Sequence, residues 1–252
     1  RDGSSRFGAD HKWGYFPSAA FAWRINHENF FNVSWVSNLK LRATWGITGS
    51  QEIGNYQSLN TLSASNSAYL IGGNKVTIVM PTQYSNPDLK WEETSQIDFG
   101  LDFGFLGGRI EGSFDWYRKV TSDLLYSVDI PSPSYISKQV ANVGSVRNTG
   151  FEFAINGVII DKRDFTWSAN ANLSHNENMV LSLSNDKYAG KYLITGACNG
   201  QGLSGQYSQI IQEGSPLGTF YGKRFIGLDA NGMETYANGG ASEVIGCAQP
   251  KL

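Results

Sequence analysis

Six stretches of this sequence alternate apolar and polar residues, most of them for nine to eleven residues at a time. Leu39, Leu41, Ala43, Trp45 and Ile47 share one face, against Lys40, Arg42, Thr44 and Gly46. Ile97, Phe99, Leu101, Phe103 and Phe105 oppose Gln96, Asp98, Gly100, Asp102 and Gly104. Ile110, Gly112, Phe114 and Trp116 oppose Glu111, Ser113, Asp115 and Tyr117. The pattern recurs at 151–159 (Phe151, Phe153, Ile155 against Glu152, Asn156), at 165–174 (Phe165, Trp167, Leu173 against Asn170, Asn172) and, more weakly, at 15–25. A period of two is that of an extended strand, whose side chains point to opposite faces in turn. No stretch of similar length has a helical period, so the sequence predicts an all-β, antiparallel chain of long meandering strands.

Strand length narrows the class further. Strands of soluble proteins usually run about five or six residues, whereas a tilted strand crossing a bilayer needs about nine to eleven. None of the six apolar faces carries Asp, Glu, Lys or Arg, while the opposite faces carry Arg24, Lys40, Arg42, Asp98, Asp102, Glu111, Asp115 and Glu152. A charge held in hydrocarbon costs about 2–4 kcal/mol at mid-depth, and one facing a wet lumen stays hydrated. The predicted lipid-facing residues are therefore Leu41, Trp45, Phe99, Leu101, Phe103, Phe114, Phe153 and Trp167. The predicted lumen-facing ones are Lys40, Arg42, Asp98, Asp102, Glu111, Asp115 and Glu152. Trp23, Trp45, Trp116 and Trp167 fit interfacial girdles, or simple packing between strands. A β-sandwich alternates in the same way, with its polar face outside and its strands shorter.

The connections alternate too. Leu106-Gly107-Gly108-Arg109 and Asp161-Lys162-Arg163-Asp164 are short; Thr48 to Trp91 and Thr121 to Val146 are long, and a third long loop is expected from about Asn176. Tight turns on one side and long loops on the other are the pattern of outer-membrane barrels, with the turns periplasmic. The connection Asn26 to Asn38 then lies on the periplasmic side. Charge agrees: 17% of the 252 residues are charged and the net charge is −2, so no basic excess points to nucleic acid. No run of about 18 apolar residues marks a transmembrane helix.

Features that suggest enzymes fail on inspection. Gly200-Gln-Gly-Leu-Ser-Gly205 fits a dinucleotide-loop spacing but lacks the preceding strand and following helix that such a loop needs. His11, His27 and His175 are far apart, each in or beside a predicted connection, and no nucleophile or metal spacing accompanies them. Cys198 and Cys247 form no CxxC pair, which leaves either a disulfide or two free thiols. Asp229-Ala-Asn-Gly-Met-Glu234 lacks the remaining positions of a calcium loop and predicts an Asx-type turn. Catalytic residues, metal and cofactor are all read as none. Loop 48–91 is the stronger candidate: Tyr56, Tyr69, Tyr84 and Trp91 stand among Asn, Ser, Thr and Gln. Rings that stack on sugars beside amides that bind hydroxyls suit substrate recognition, or contact with a lid protein.

Several segments also resemble one family, in order. These are Arg1-Asp-Gly-Ser-Ser-Arg-Phe-Gly8, Trp13-Gly-Tyr-Phe-Pro-Ser18, Ser37-Asn-Leu-Lys-Leu-Arg-Ala-Thr-Trp-Gly46, Gly49-Ser-Gln-Glu-Ile-Gly-Asn-Tyr56 and Asn86-Pro-Asp-Leu-Lys-Trp-Glu-Glu-Thr94. Gly100-Leu-Asp-Phe-Gly104, Asp115-Trp-Tyr-Arg-Lys119 with Thr121-Ser-Asp-Leu-Leu125, and Asn148-Thr-Gly-Phe-Glu152 continue the series. Over about residues 1–225 the chain resembles the SusC/RagA-type TonB-dependent outer-membrane receptors. The resemblance implies a plugged barrel of about 22 strands in a Bacteroidetes-type outer membrane. It implies import of oligosaccharides, or peptides, with TonB energy and a SusD-like surface lipoprotein as lid.

Residues 1–252 are accordingly expected to form part of one barrel domain, stable beside the rest of its wall, with plug domain, TonB box and closing C-terminal strands absent from this chain. The alternatives are a smaller outer-membrane barrel acting as adhesin or structural protein, and a secreted β-sandwich that binds carbohydrate.

Overall fold

The computed structural model describes the backbone of residues 1–71, 74–131, 133–201 and 203–247, and their side chains except at 65–71, 74–75 and 247. Six strands form one sheet: β1 (Ser18–Arg24), β2 (Val36–Ser50), β3 (Glu92–Phe105), β4 (Ile110–Ser122), β5 (Ser145–Lys162) and β6 (Phe165–Ser182). Each strand neighbours the one before it in the chain, so the sheet is a plain meander with β1 and β6 at its ends. β1 with β2, β2 with β3 and β3 with β4 pair antiparallel in continuous register, apart from one shift between Val36 and Asn38.

The six predicted strands are present, but their limits differ. β2, β3, β4, β5 and β6 have 15, 14, 13, 18 and 18 residues, longer than the alternation alone indicated. The ladder continues past the apolar zone: Thr48 to Ser50 still pair with Thr94 to Glu92, polar on both faces. Strict alternation marks only the part with one apolar face, whereas backbone hydrogen bonding continues into water. β1 is shorter than expected and starts just after Pro17, whose nitrogen has no proton to donate.

The two long loops contain ladders of their own. Thr61–Ile71 pairs with Asn74–Gln83, and Leu125–Asp129 with Lys138–Asn142. The loop expected from Asn176 begins only after Ser182, because β6 runs that far. His175 therefore lies within a strand rather than in or beside a connection, with its ring 5.7 Å from that of Phe151. Cys198 is a free thiol, and the side chain of Cys247 lies outside the described residues.

The chain divides into two compact units, residues 1–143 with 149–176, and residues 144–148 with 177–252. In the second, β7 (Tyr192–Ala197), β8 (Tyr207–Gln212), β9 (Thr219–Gly222) and β10 (Glu243–Cys247) form a four-stranded sheet. Val180, at the end of β6, is fully buried here, and its carbonyl and amide bond Gly214 N and Ser215 O at 2.9 and 3.0 Å. Between Phe225–Leu228 and Glu234–Tyr236, Asp229 Oδ1 accepts from the backbone nitrogens of Asn231 (2.8 Å) and Met233 (2.9 Å). That is the predicted Asx-type turn.

Candidate lumen wall and ligand-facing loops

In the first unit the faces of the meander are chemically opposite. Register sets Trp23 against Leu41, Leu41 against Leu101, and Leu101 against Phe114. The next row up holds Phe21, Ala43, Phe99 and Trp116. Directly opposed residues of antiparallel strands share a face, so these rows are one apolar surface. Among the described residues no second layer covers it: Phe99 is 49% exposed, Trp167 50% and Leu173 55%. Leu41, Trp45 and Phe114 are also exposed, while Leu101, Phe103 and Phe153 are half-buried, with the Phe103 ring stacked on those of Phe105 and Phe153. A sandwich would bury this surface under a second sheet.

The other face is a charge network. Arg42 lies opposite Gly100, which lies opposite Asp115. The guanidinium donates from Nε (3.0 Å) and Nη2 (2.8 Å) to Asp102, and from Nη2 to Asp115 Oδ1 (2.7 Å). Lys40 Nζ adds a contact of 3.5 Å with Asp102. Asp98 accepts from Thr44 Oγ1 (2.7 Å) and Gln96 Nε2 (2.8 Å). Thus Lys40, Arg42, Asp102 and Asp115 are brought together, Asp98 is held separately by Thr44 and Gln96, and Glu111 and Glu152 stand exposed on their strands. In a hydrated setting each such pair contributes under about 1 kcal/mol, so the network positions side chains more than it stabilises the sheet. Gly100 was not singled out as a site residue. A Cβ there would lie 2.6 Å from both Arg42 Cζ and Asp115 Oδ1. A glycine inside a strand is the available signal for such a close approach.

The long loops are built around a small core of Phe7, Leu89 and Trp91, with Phe16, Ile53, Leu125 and Val140 packed against it. Trp91 is 6% exposed, 5.0 Å from the ring of Phe7 and 5.2 Å from that of Phe16. Its faces are taken, so the predicted ligand role of Trp91 gives way to a packing role. Tyr56 (67% exposed) and Tyr84 (37%) present open rings, and the side chain of Tyr69 lies outside the described residues.

Amide side chains lace the loops together. Asn142 is buried; its Oδ1 accepts from Lys90 N (2.9 Å) and its Nδ2 donates to the carbonyls of Lys90 (2.8 Å) and Asp123 (2.9 Å). Gln83 Nε2 donates to the carbonyls of Tyr56 (2.8 Å) and Leu59 (2.9 Å). Arg6 holds Asn55 Oδ1 (3.1 Å) and the carbonyl of Gln51 (2.9 Å). Tyr56 stands at φ 63°, a backbone region that costs a bulky residue about 1–2 kcal/mol. An open groove of about 590 Å³ lies between the 61–83 hairpin and residues 135–137, with Tyr135 Oη donating to Met80 Sδ at 3.2 Å. Tyr135, 65% exposed, was not anticipated; it is a lone ring in a loop with no pattern around it.

Among the described residues no group of His, Cys, Asp and Glu is placed to hold a metal ion. Of the carboxylates on the charged face, Asp102 and Asp115 are engaged by Arg42, Asp102 also by Lys40, and Asp98 by Thr44 and Gln96.

Comparison with known proteins places this architecture. Residues 1–241 match the family model described as TonB dependent receptor-like, beta-barrel. The chain is 39% identical over 234 residues to TonB-dependent receptor P3 of Formosa agariphila, covering 92% of this chain and 23% of that protein. It is 42% identical over 200 residues to TonB-dependent receptor SusC of Bacteroides thetaiotaomicron, covering 77% and 20%. The structure of the RagAB peptide transporter superposes with a TM-score of 0.78 at 26% identity, over 97% of this chain and 27% of that one. The chain spans about a quarter of the length of the relatives it matches.

Proposed function

The chain belongs to the TonB-dependent receptor-like β-barrel family, of SusC/RagA type, and we propose that it supplies part of the wall and ligand-facing loops of an active outer-membrane importer. On this reading residues 1–252 are one portion of a single barrel domain. The Phe99 face meets lipid and the Arg42 face meets the lumen. The imported ligand is an oligosaccharide, or a peptide; TonB supplies the energy and a SusD-like lipoprotein closes the top.

One observation carries the proposal: across the same register, one face of the meander is apolar and uncovered while the other is ion-paired. Only a wall between hydrocarbon and water rewards both faces at once. This favours a membrane barrel over a secreted sandwich, and the relatives favour an importer over an adhesin. Exposed Tyr56 and Tyr84, whose backbone carbonyls accept from Gln83 and Gln139, offer open rings for stacking. The peptide transporter neighbour supports a peptide ligand, whereas rings flanked by amides in the 48–91 loop support a sugar first.

The test is uptake of labelled oligosaccharides and labelled peptides by cells carrying the full-length receptor. Uptake of one class that requires TonB and falls several-fold on Tyr56→Ala supports the reading. Equal passive entry of both classes, independent of TonB, would overturn it.

A further inference from the structure

The groove between the 61–83 hairpin and residues 135–137 lies within the first unit, and its two walls differ in construction. One wall is a face of the hairpin. Ser63 pairs directly with Met80 across the ladder, so their side chains stand on one face while their backbone groups lie in the plane of the sheet. Pro81 beside them has no backbone N–H to donate. A ligand resting on this wall meets side chains rather than the open edge of a strand, so a peptide cannot add to it as a further strand.

The other wall is pinned around one ring. Ser134 Oγ donates to the carbonyl of Ile136 at 2.7 Å, and Ile130 N donates to that of Ser137 at 2.8 Å. Ile136 is buried, whereas the ring of Tyr135 is open. The hydroxyl of that ring donates to Met80 Sδ on the facing wall at 3.2 Å, which tethers its far end.

The lining is uncharged among the described residues, and Ser63, Thr82 and Ser137 contribute three hydroxyls. The Thr82 hydroxyl bonds that of Thr61 at 2.8 Å, while those of Ser63 and Ser137 form no hydrogen bond with another described residue. A hydroxyl both donates and accepts, as the hydroxyls of a sugar do. Lys138, the charge that follows in sequence, is paired with Asp129 at 4.0 Å. A volume of about 590 Å³ falls within the range of small-ligand sites, about 300–1,000 Å³.

We propose that this groove is a binding site for a neutral saccharide. The C–H face of one sugar ring packs on Tyr135, because polarised C–H bonds meet the negative face of the aromatic ring, and the hydroxyls of Ser63 and Ser137 bond those of the sugar. An anionic or cationic ligand finds no counter-charge here. The inference goes beyond the importer reading, since binding in this groove needs neither TonB nor transport, and it involves neither Tyr56 nor Tyr84.

The test uses the full-length receptor in a detergent without a sugar headgroup. The probes are neutral hexasaccharides of α-glucan, β-glucan, β-mannan and β-xylan, with an anionic galacturonate hexamer and a capped alanine–glycine hexapeptide for comparison. Calorimetry gives affinity, and diazirine-bearing forms of the same probes, mapped by mass spectrometry, give position. At least one neutral hexasaccharide should bind and label the segments holding Met80 and Tyr135, and excess unlabelled sugar should abolish that labelling. Tyr135→Ala should weaken its binding by several-fold to about tenfold, and Tyr135→Phe, which keeps the ring, should lose much less. Ser137→Ala should also weaken it with the limited-proteolysis pattern unchanged, which separates a lost contact from a disturbed loop. Labelling that avoids both segments, equal affinity in wild type and Tyr135→Ala, absence of binding by every neutral probe, or preference for the galacturonate or the peptide overturns the inference. TonB-dependent uptake with no label in the groove defeats this site alone, whereas a labelled groove without TonB-dependent uptake defeats the importer reading and leaves the site standing.

Discussion

The guanidinium of Arg42 and the carboxylate of Asp115 stand 2.7 Å apart although a whole strand lies between their own. The contact passes over Gly100 of β3, whose missing side chain opens the way. Three strands of the wall are thus tied by one side chain. A double-mutant cycle of Arg42→Met and Asp115→Asn in the full-length receptor should give a coupling of roughly 0.5–1 kcal/mol. In a Gly100→Ala background that coupling should vanish. Urea unfolding followed by fluorescence provides the readout, and an undiminished coupling would mean that the reach over Gly100 is not required.

The two faces of the sheet should respond oppositely to charge. Phe99→Arg places a cation on the apolar face and should cost about 2–4 kcal/mol, seen as less folded receptor in the outer membrane. Glu152→Lys, on the exposed polar face, should change stability by under about 1 kcal/mol. Similar losses from both would contradict the assignment of faces.

Gly8 permits a backbone approach that no other residue allows. Its Cβ would sit 1.7 Å from the carbonyl oxygen of Pro87, and its N–H donates to Leu89 O at 2.9 Å. Gly8→Ala should therefore lift Phe7 from Trp91 at a cost of about 1–3 kcal/mol or more. Limited proteolysis of the assembled receptor should then cut within residues 48–91, with the barrel strands still protected.

Trp91 and Tyr56 should separate stability from recognition. Trp91→Ala removes a buried ring and should cost about 3–5 kcal/mol, loosening both long loops. Tyr56→Gly relieves a positive-φ backbone and should leave protease resistance equal or higher, while ligand affinity falls. Joint loss of resistance and affinity in Tyr56→Gly would assign that ring to packing instead.

The faces of the wall were legible residue by residue because alternation is local. Arg42, Asp98, Asp102 and Asp115 share a face by counting alone, and Phe99 and Phe103 share the other. The loops were not legible. Thr61–Ile71 and Asn74–Gln83 form a ladder whose faces are polar enough to hide the period, and its register depends on pairing rather than on one strand's pattern. Trp91 looked like a ligand-stacking ring because its surroundings in sequence are polar. Phe7, which covers it, lies more than eighty residues away. Asn142 looks like any loop asparagine until Lys90 and Asp123 close around it.

The amino-acid order by itself determined that this chain is extended, which side chains share each surface, and that one surface is free of charge. Those properties follow from the two-residue repeat of a strand and need no distant partner. Tertiary structure decided which rings remain open, which carboxylates Arg42 reaches, and how the loops are stitched. Each of those depends on neighbours supplied by another strand or loop, and pairing between remote segments is information that a local repeat does not contain.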